Sequence, residues 1–300
     1  MTYYSLGFGT APILGRISKR QSWTALDKAY TSGIRHFDTA RSYGWGEAEE
    51  LLGNFLSQHP RESYTLVSKC GILPTRRSLL KSFAKAIGRP IYHFLPASRH
   101  LVKQIAANSF QPTHIYDVET LRFSFEQSLK ALRTDFLDVL LLHNYQPERS
   151  GLEAVVTWFQ QMQKLGKIRR YGFSIEGDLL AGLQHLDEAG LLEESVIQTP
   201  MCSELFALPQ HLHHVSFFVH SPFRFLQNLH ELNPTHEADI ITLFAQMLAT
   251  LNETITCEVV IASMFTSDHI QANSRAAVLA AQISPETVAA FRNDVIDILI

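Results

Sequence analysis

The chain has 300 residues, 46% of them hydrophobic, and a formal net charge of −3. That apolar fraction supplies a large core and excludes a disordered chain, and the near-neutral charge balance gives no basis for binding nucleic acid or an anionic membrane surface. No apolar run approaches the ~18 residues that span a bilayer, and Met1 to Gly7 carry neither a basic nor an apolar leader segment, so neither a membrane anchor nor a secretory signal is expected.

Short runs rich in Val, Ile, Leu and Phe alternate with amphipathic stretches along most of the sequence. In chain order the pattern predicts strand 5–9, helix 22–32, strand 34–38, helix 46–57 and strand 64–69. It continues with helix 119–133, strand 136–142, helix 152–165, strand 168–173, helix 178–189 and strand 195–199. It closes with strand 215–220, helix 237–251, strand 256–262 and helices 268–281 and 285–298. Ser22, Asp178 and Ser267 are the expected N-caps of their helices, and Ser284 precedes Pro285 at a first helical position. Eight strands alternating with helices predict a closed (β/α)8 TIM barrel forming one domain over 1–300.

Two stretches interrupt the rhythm. Residues 71–118 form a long insertion after strand three, a lid-like segment with two short helices expected at 79–87 and 99–107. Its basic residues, such as Arg76, Lys81 and Arg99, read as a charged surface. Residues 221–236, which include Pro222 and Pro234, read as a connection.

In a (β/α)8 barrel the chemistry sits where strands end and βα loops begin. Here strand two ends at Asp38 with Tyr43 just beyond, strand three at Lys69 and strand four at His143. Strand five ends at Ser174, strand six near Gln198, strand seven at His220 and strand eight at Ser263. Packing does not require apolar strands to finish on polar residues, and all of these would point into one mouth. An ordinary tyrosine, with a pKa near ~10, gives up its proton reluctantly. A Lys69 ammonium beside Tyr43 would lower that value, and Asp38 would keep Lys69 charged and oriented. Tyr43 could then protonate a developing alkoxide while His143 helps hold the substrate oxygen. The set has no strong nucleophile, so it suits proton-coupled hydride transfer with the hydride carried by a cofactor.

These residues resemble the aldo-keto reductase family. The segment Gly33-Ile34-Arg35-His36-Phe37-Asp38-Thr39-Ala40, with Tyr43-Gly44 and Glu47 or Glu49, is similar to its first signature. Val67-Ser68-Lys69 resembles its lysine strand, and Asp135 through His143 its histidine strand. Gly166-Lys167-Ile168-Arg169 to Gly172-Phe173-Ser174 is similar to a further block. The resemblance runs from about residue 5 to 280 and implies a nicotinamide-dependent oxidoreductase with Asp38, Tyr43, Lys69 and His143 as its catalytic residues. Glu119 through Asp135 look like the branch that includes bacterial aldose dehydrogenases.

The resemblance also implies cofactor contacts. Ser174 and Gln198 look like carboxamide ligands, although Ile175 stands where an asparagine normally follows the serine. His220 takes the place of a ring-stacking tyrosine, and Ser221, Phe223 and Arg224 resemble a pyrophosphate-covering loop. Ser263 and Asn273 resemble the adenosine-phosphate segment. The basic residues that usually grip a 2′-phosphate are missing from Met264 to Asp268, with Arg275 and His269 the available substitutes, so NADP and NAD both stay open.

Other chemistries are weaker. His211, His213 and His214 cluster, but no carboxylate or cysteine completes a metal-ligand spacing. Ser174 and His143 lack the G-x-S-x-G elbow of a hydrolase. Cys70, Cys202 and Cys257 form neither a disulfide framework nor a Cys-x-x-Cys site, which fits a reducing cytoplasm, and Cys202 reads as an inert thiol. The expected function is reduction of an aldehyde or ketone, or oxidation of the corresponding alcohol or sugar, by a monomer or weak oligomer. The alternative is a nicotinamide-binding regulatory or redox-sensing barrel with little turnover.

Overall fold

The computed structural model describes residues 5–14, 17–74, 116–232 and 239–299. Eight parallel strands close into one barrel in sequence order: β1 Leu6–Gly9, β2 His36–Asp38, β3 Thr65–Cys70, β4 Leu137–Leu142, β5 Ile168–Ser174, β6 Ser195–Pro200, β7 Ser216–His220 and β8 Thr256–Ala262. Between and after them lie helices α1 Lys19–Thr31, α2 Glu47–Leu56, α3 Val118–Leu132, α4 Leu152–Lys164, α5 Leu179–Glu188, α6 Pro222–Leu232, α7 Ile240–Thr254, α8 Ser267–Ala280 and α9 Pro285–Leu299. The (β/α)8 barrel expected from the sequence is the observed fold, and each predicted strand overlaps an observed one.

Successive strand residues point to opposite faces of the sheet, and here that period of two separates two cores. Val67, Val139, Leu141, Val196, Phe218, Val259 and Ile261 form a compact apolar cluster of their own. The alternate residues, including Phe8, Phe37, Leu66, Leu140, Phe173, Ile197 and Phe217, belong to the larger cluster shared with the helices. Each fully buried Phe or Leu contributes about 1.5–3 kcal/mol relative to leaving it exposed. The smaller cluster is the barrel interior. Two residues further along the same strands come Lys69, His143, Gln198, His220 and Ser263, so the pleat that fills the barrel also aims these side chains into its mouth.

Three expectations are corrected. Residues 222–232 form helix α6 rather than part of a connection. Pro222 stands at its first position, where the missing N–H has no intrahelical acceptor and the fixed φ suits a helix. Helix α1 starts three residues earlier than expected, at Lys19. Its N-cap is Ser18, in a capping box with Gln21, and Ser22 is buried inside the first turn. The cap of α8 is Thr266, one residue before the expected Ser267. Asp178 caps α5 as expected, accepting from the Ala181 amide. The two short helices expected at 79–87 and 99–107 lie outside the described residues, as does nearly all of the 71–118 insertion.

Candidate active site

Asp38, at the end of β2, is 4% exposed, and Lys69, in β3, is 2% exposed. The Lys69 ammonium donates to Asp38 Oδ1 at 2.6 Å and to the Thr39 carbonyl at 3.0 Å. Gln198 Nε2 donates to the other carboxylate oxygen, Asp38 Oδ2, at 2.7 Å. Both oxygens of the buried carboxylate are therefore engaged, as a buried charge requires. Burial works against the Lys69 ammonium, but the charges of Asp38 and the Tyr43 site outweigh it and hold its pKa above the ordinary lysine value.

Tyr43 lies 5.2 Å, ring centroid to ammonium, from Lys69. Its ring meets that of His143 edge to face, with centroids 5.8 Å apart and planes at 84°. The chain thus brings Asp38, Tyr43, Lys69 and His143 together at one barrel mouth. The sequence-based expectation that Lys69 lowers the Tyr43 pKa needs correcting in its net sign. Burial raises the phenol pKa most; Lys69 pulls it back, while Asp38 and Glu176 push it up again, and it stands above 10.0. Lys69 is largely neutralised by Asp38, so it cannot overcome desolvation. The phenol stays protonated through neutral pH, which suits a proton donor.

The loop carrying Tyr43 is held by a chain of polar contacts. Ser68, the residue before Lys69, donates to Glu49 Oε1 at 2.7 Å. Arg41 Nη1 donates to Glu49 Oε2 at 3.0 Å and to the Gly46 carbonyl at 3.1 Å. Glu49 is fully buried, so Arg41 and Ser68 together keep an otherwise costly carboxylate in place. The backbone from Gly44 to Gly46 is left-handed at each residue, with Trp45 at φ 60°. At Gly44 an added Cβ would sit 2.9 Å from the Ile13 carbonyl, so only glycine fits.

The residues expected to contact a cofactor fall into two groups. Ser174, Gln198, His220 and Ser221 stand at the ends of β5, β6 and β7, at the same mouth as Asp38, Tyr43, Lys69 and His143. Ser263 follows β8, its Oγ donating to the Gly9 carbonyl at 3.3 Å, and Asn273 is buried on α8. Phe223 and Arg224 open helix α6; the Phe223 ring packs 4.8 Å from that of Phe244, and Arg224 is exposed. Ile175 is 2% exposed and packs on α5, where Gly182 permits the close approach: a Cβ there would lie 2.9 Å from Ile175 Cδ1. It therefore faces the helix layer and offers nothing to the mouth.

The donor set fits a nicotinamide dinucleotide. Gln198 Oε1 and Asn273 Nδ2 are buried polar atoms without a hydrogen-bond partner. Such orphans are costly unless a ligand completes them. One is an acceptor at the mouth, suited to a carboxamide N–H. The other is a donor on α8, suited to an adenine ring nitrogen. Among the described residues no group of three or more His, Cys, Asp or Glu could hold a metal ion. His213, from the expected weak cluster, instead bonds the Leu208 carbonyl through Nε2 at 2.9 Å.

Glu176 was not singled out from the sequence. It follows Ser174 by two residues, so the same period of two carries it towards the mouth beyond the end of β5. His220 Nε2 lies 3.2 Å from its Oε1, and Ser174 Oγ donates to it at 3.4 Å. Burial would raise the Glu176 pKa, but the hydrogen bond and charge of His220, with smaller effects of His143 and Lys69, outweigh this and lower it to about 2. The signal was the continuation of the inward alternation past a strand end.

The sequence model of the aldo/keto reductase family matches residues 5–203. A Schizosaccharomyces pombe protein provisionally named an aryl-alcohol dehydrogenase is 38% identical over 151 residues, covering 50% of this chain and 39% of the relative. A D-threo-aldose 1-dehydrogenase of a Pseudomonas species is 28% identical over 166 residues, covering 54% and 46%. The alignments thus span less than half the length of these two relatives. Among solved structures, an aldo-keto reductase from Bacillus halodurans in its holo form superposes with a TM-score of 0.69 at 20% identity, covering 99% of this chain and 92% of that one. At that identity the likeness concerns the fold. With two thirds of its length matched by the family's sequence model, and its four expected catalytic residues assembled at one mouth of the barrel, the chain belongs to the aldo/keto reductase family.

Proposed function

We propose that this protein is an NAD(P)-dependent oxidoreductase that interconverts a small carbonyl compound and its alcohol, with Tyr43 as the proton donor in the reducing direction. The observation that carries the reading is the buried Lys69–Asp38 pair set against the Tyr43 phenol. A buried ion pair is poor evidence of stability; beside a partly accessible phenol and an imidazole it makes a proton-handling site.

A bound reduced nicotinamide supplies the hydride to the carbonyl carbon. Gln198 Oε1 and the Ser174 hydroxyl hold the carboxamide end, and Asn273 the adenine end. His143 and Tyr43 flank the carbonyl oxygen and orient it. The Tyr43 O–H donates its proton to that oxygen as negative charge develops, and Lys69 stabilises the phenolate that remains. In the alcohol-oxidising direction the same phenolate takes the proton back.

The substrate class is an aldehyde, ketone or sugar. The aldose dehydrogenase among the relatives supports the sugar end of that range, and an Escherichia coli relative named NADH-specific methylglyoxal reductase supports the small-carbonyl end. Either nicotinamide cofactor fits the reading. No helix among the described residues is long and apolar enough to cross a membrane; we take the enzyme as cytoplasmic and as a monomer or weak oligomer. The test is a titration of NADH and NADPH against intrinsic fluorescence, followed by a panel of aldehydes, ketones and sugars with the tighter cofactor. Micromolar binding with turnover supports the reading. Tight binding with negligible oxidation across the panel replaces it by the regulatory barrel, and absence of binding to either cofactor overturns it.

A further inference from the structure

Glu176 and His220 form an ion-pairing bridge across the mouth, from the end of β5 to the end of β7, over the intervening β6. Three features indicate a built element rather than a chance contact. One carboxylate oxygen, Oε1, takes both Ser174 Oγ at 3.4 Å and His220 Nε2 at 3.2 Å, while the Glu176 side chain stays partly exposed. The imidazole is held at both nitrogens, with Ser221 Oγ 3.0 Å from Nδ1. Ser221 itself sits at φ 58°, a left-handed conformation that a non-glycine residue adopts only when its surroundings impose it.

The hydrogen-bond logic fixes the ring. An ionised carboxylate only accepts, so Nε2 carries the proton toward Glu176, and Nδ1 is left to the Ser221 hydroxyl. With both edges engaged, the ring cannot rotate about χ2 without breaking a contact, and only its faces remain for a ligand. Ser174 and Gln198, at the ends of β5 and β6, are the residues the proposed function assigns to the nicotinamide end, and His220 at the end of β7 stands where the family resemblance puts a ring-stacking tyrosine. The carboxylate also adds one negative charge to a mouth that otherwise holds the Lys69–Asp38 pair.

We propose that Glu176 is a positioning residue that locks the His220 ring as one wall of the nicotinamide site, and that its carboxylate biases this site toward the oxidised cofactor. The inference rests on the cofactor reading above. Oxidised nicotinamide carries a positive ring charge that reduced nicotinamide lacks, so a nearby anion distinguishes the two forms. Replacing it by a neutral acceptor removes this one negative charge from the site at a pH where His220 keeps a single protonation state.

The experiment measures dissociation constants of NADP⁺ and NADPH by fluorescence for the full chain and its variants. Glu176→Gln keeps an acceptor for Nε2 but removes the charge; it should weaken NADP⁺ about fivefold and leave NADPH within about twofold. Glu176→Ala removes the anchor as well and should weaken NADPH about fivefold. That loss on NADPH should vanish in a His220→Ala background, because the ring to be positioned is gone. Equal effects of Glu176→Gln on the two cofactor forms, or none, would overturn the charge assignment. An undiminished Glu176→Ala effect in the His220→Ala background would overturn the positioning role. The ¹⁵N spectrum of the His220 imidazole in the cofactor-free protein tests the pair separately: one fixed tautomer is expected, averaged in Glu176→Ala. An averaged tautomer in the unsubstituted protein contradicts the pair itself, whereas failure of that protein to bind either cofactor contradicts the reading on which the inference rests.

Discussion

Lys69 Nζ sits 2.6 Å from Asp38 Oδ1, so the ammonium nearest Tyr43 is already neutralised by a carboxylate. Asp38 and Lys69 therefore act on the tyrosine with opposite signs: Lys69 lowers its pKa and Asp38 raises it. Reduction needs the phenol protonated, so activity declines on the alkaline side of that pKa. Lys69→Met should move this alkaline limb to higher pH and slow turnover. Asp38→Asn, with Lys69 still protonated, should move it to lower pH, because it removes a charge that raises the Tyr43 pKa. The pH dependence of kcat/KM for both variants checks this; a shift of the two limbs in the same direction contradicts it.

Arg41 ties the Tyr43 loop to Glu49 and, through Ser68, to the strand that carries Lys69. Arg41→Met keeps most of the side-chain volume but leaves Glu49 without its cation and Gly46 without its donor. A misplaced catalytic group costs on the order of 10²-fold. We expect kcat to fall by that order while the cofactor Kd changes by less than about threefold. A kcat within twofold of the unsubstituted protein would show that the loop holds its geometry without Arg41.

His36 lies inside the barrel below Asp38, edge to face with Phe218 at 5.0 Å, and its Nε2 has no partner. Burial dominates its titration and lowers its pKa from 6.5 to about 4. The folded chain keeps this imidazole neutral while the unfolded chain protonates it below 6.5. Its stabilising contribution is therefore complete above pH 6.5 and is lost as pH falls toward 4. The full window is worth about 3 kcal/mol. Urea denaturation of the unsubstituted protein and of His36→Leu at pH 7 and 4.5 checks this. The unsubstituted protein should lose markedly more stability between the two, and equal losses would remove His36 from the acid response.

The architecture was legible in the sequence because the barrel strands are buried on both faces. Continuous runs such as Val139–Leu142 announce them, and the polar residue that ends each run marks the mouth. Helix α6 was not legible because its two flanking prolines look like loop punctuation; only the register of Pro222 against the following turns reveals a helix start. The identity of Asp38, Tyr43, Lys69 and His143 as candidates was readable from strand ends. The net direction of the Tyr43 pKa was not, since it depends on how far Asp38 cancels Lys69 and on burial, both properties of three-dimensional distance. Glu176 lay beyond a strand end, where the alternation rule is usually abandoned.

The segment proposed to meet the adenosine end shows why cofactor discrimination should be weak. Met264 is fully buried, Asp268 is exposed in the first turn of α8, and exposed Arg275 interacts with the acidic cap Asp239 of α7. Binding a 2′-phosphate selectively needs a cation or several donors aimed at it. We expect NADPH and NADH to differ by less than about tenfold in Kd, or ~1.4 kcal/mol. Dissociation constants in one buffer decide it, and a hundredfold preference for NADPH would mean that Arg275, His269 or another group supplies the missing cation.

The central claim is that Tyr43 delivers the proton to the substrate oxygen, and single-turnover reduction by Tyr43→Phe tests it most directly. The substitution removes one oxygen from a ring otherwise held by Lys69 and His143. The cofactor Kd should stay within about twofold, while the rate of carbonyl reduction should fall by at least ~10²–10⁴-fold, the usual worth of a positioned general acid. A variant that binds cofactor normally and keeps more than about half of the single-turnover rate would contradict the claim and return the proton donor to His143 or to water.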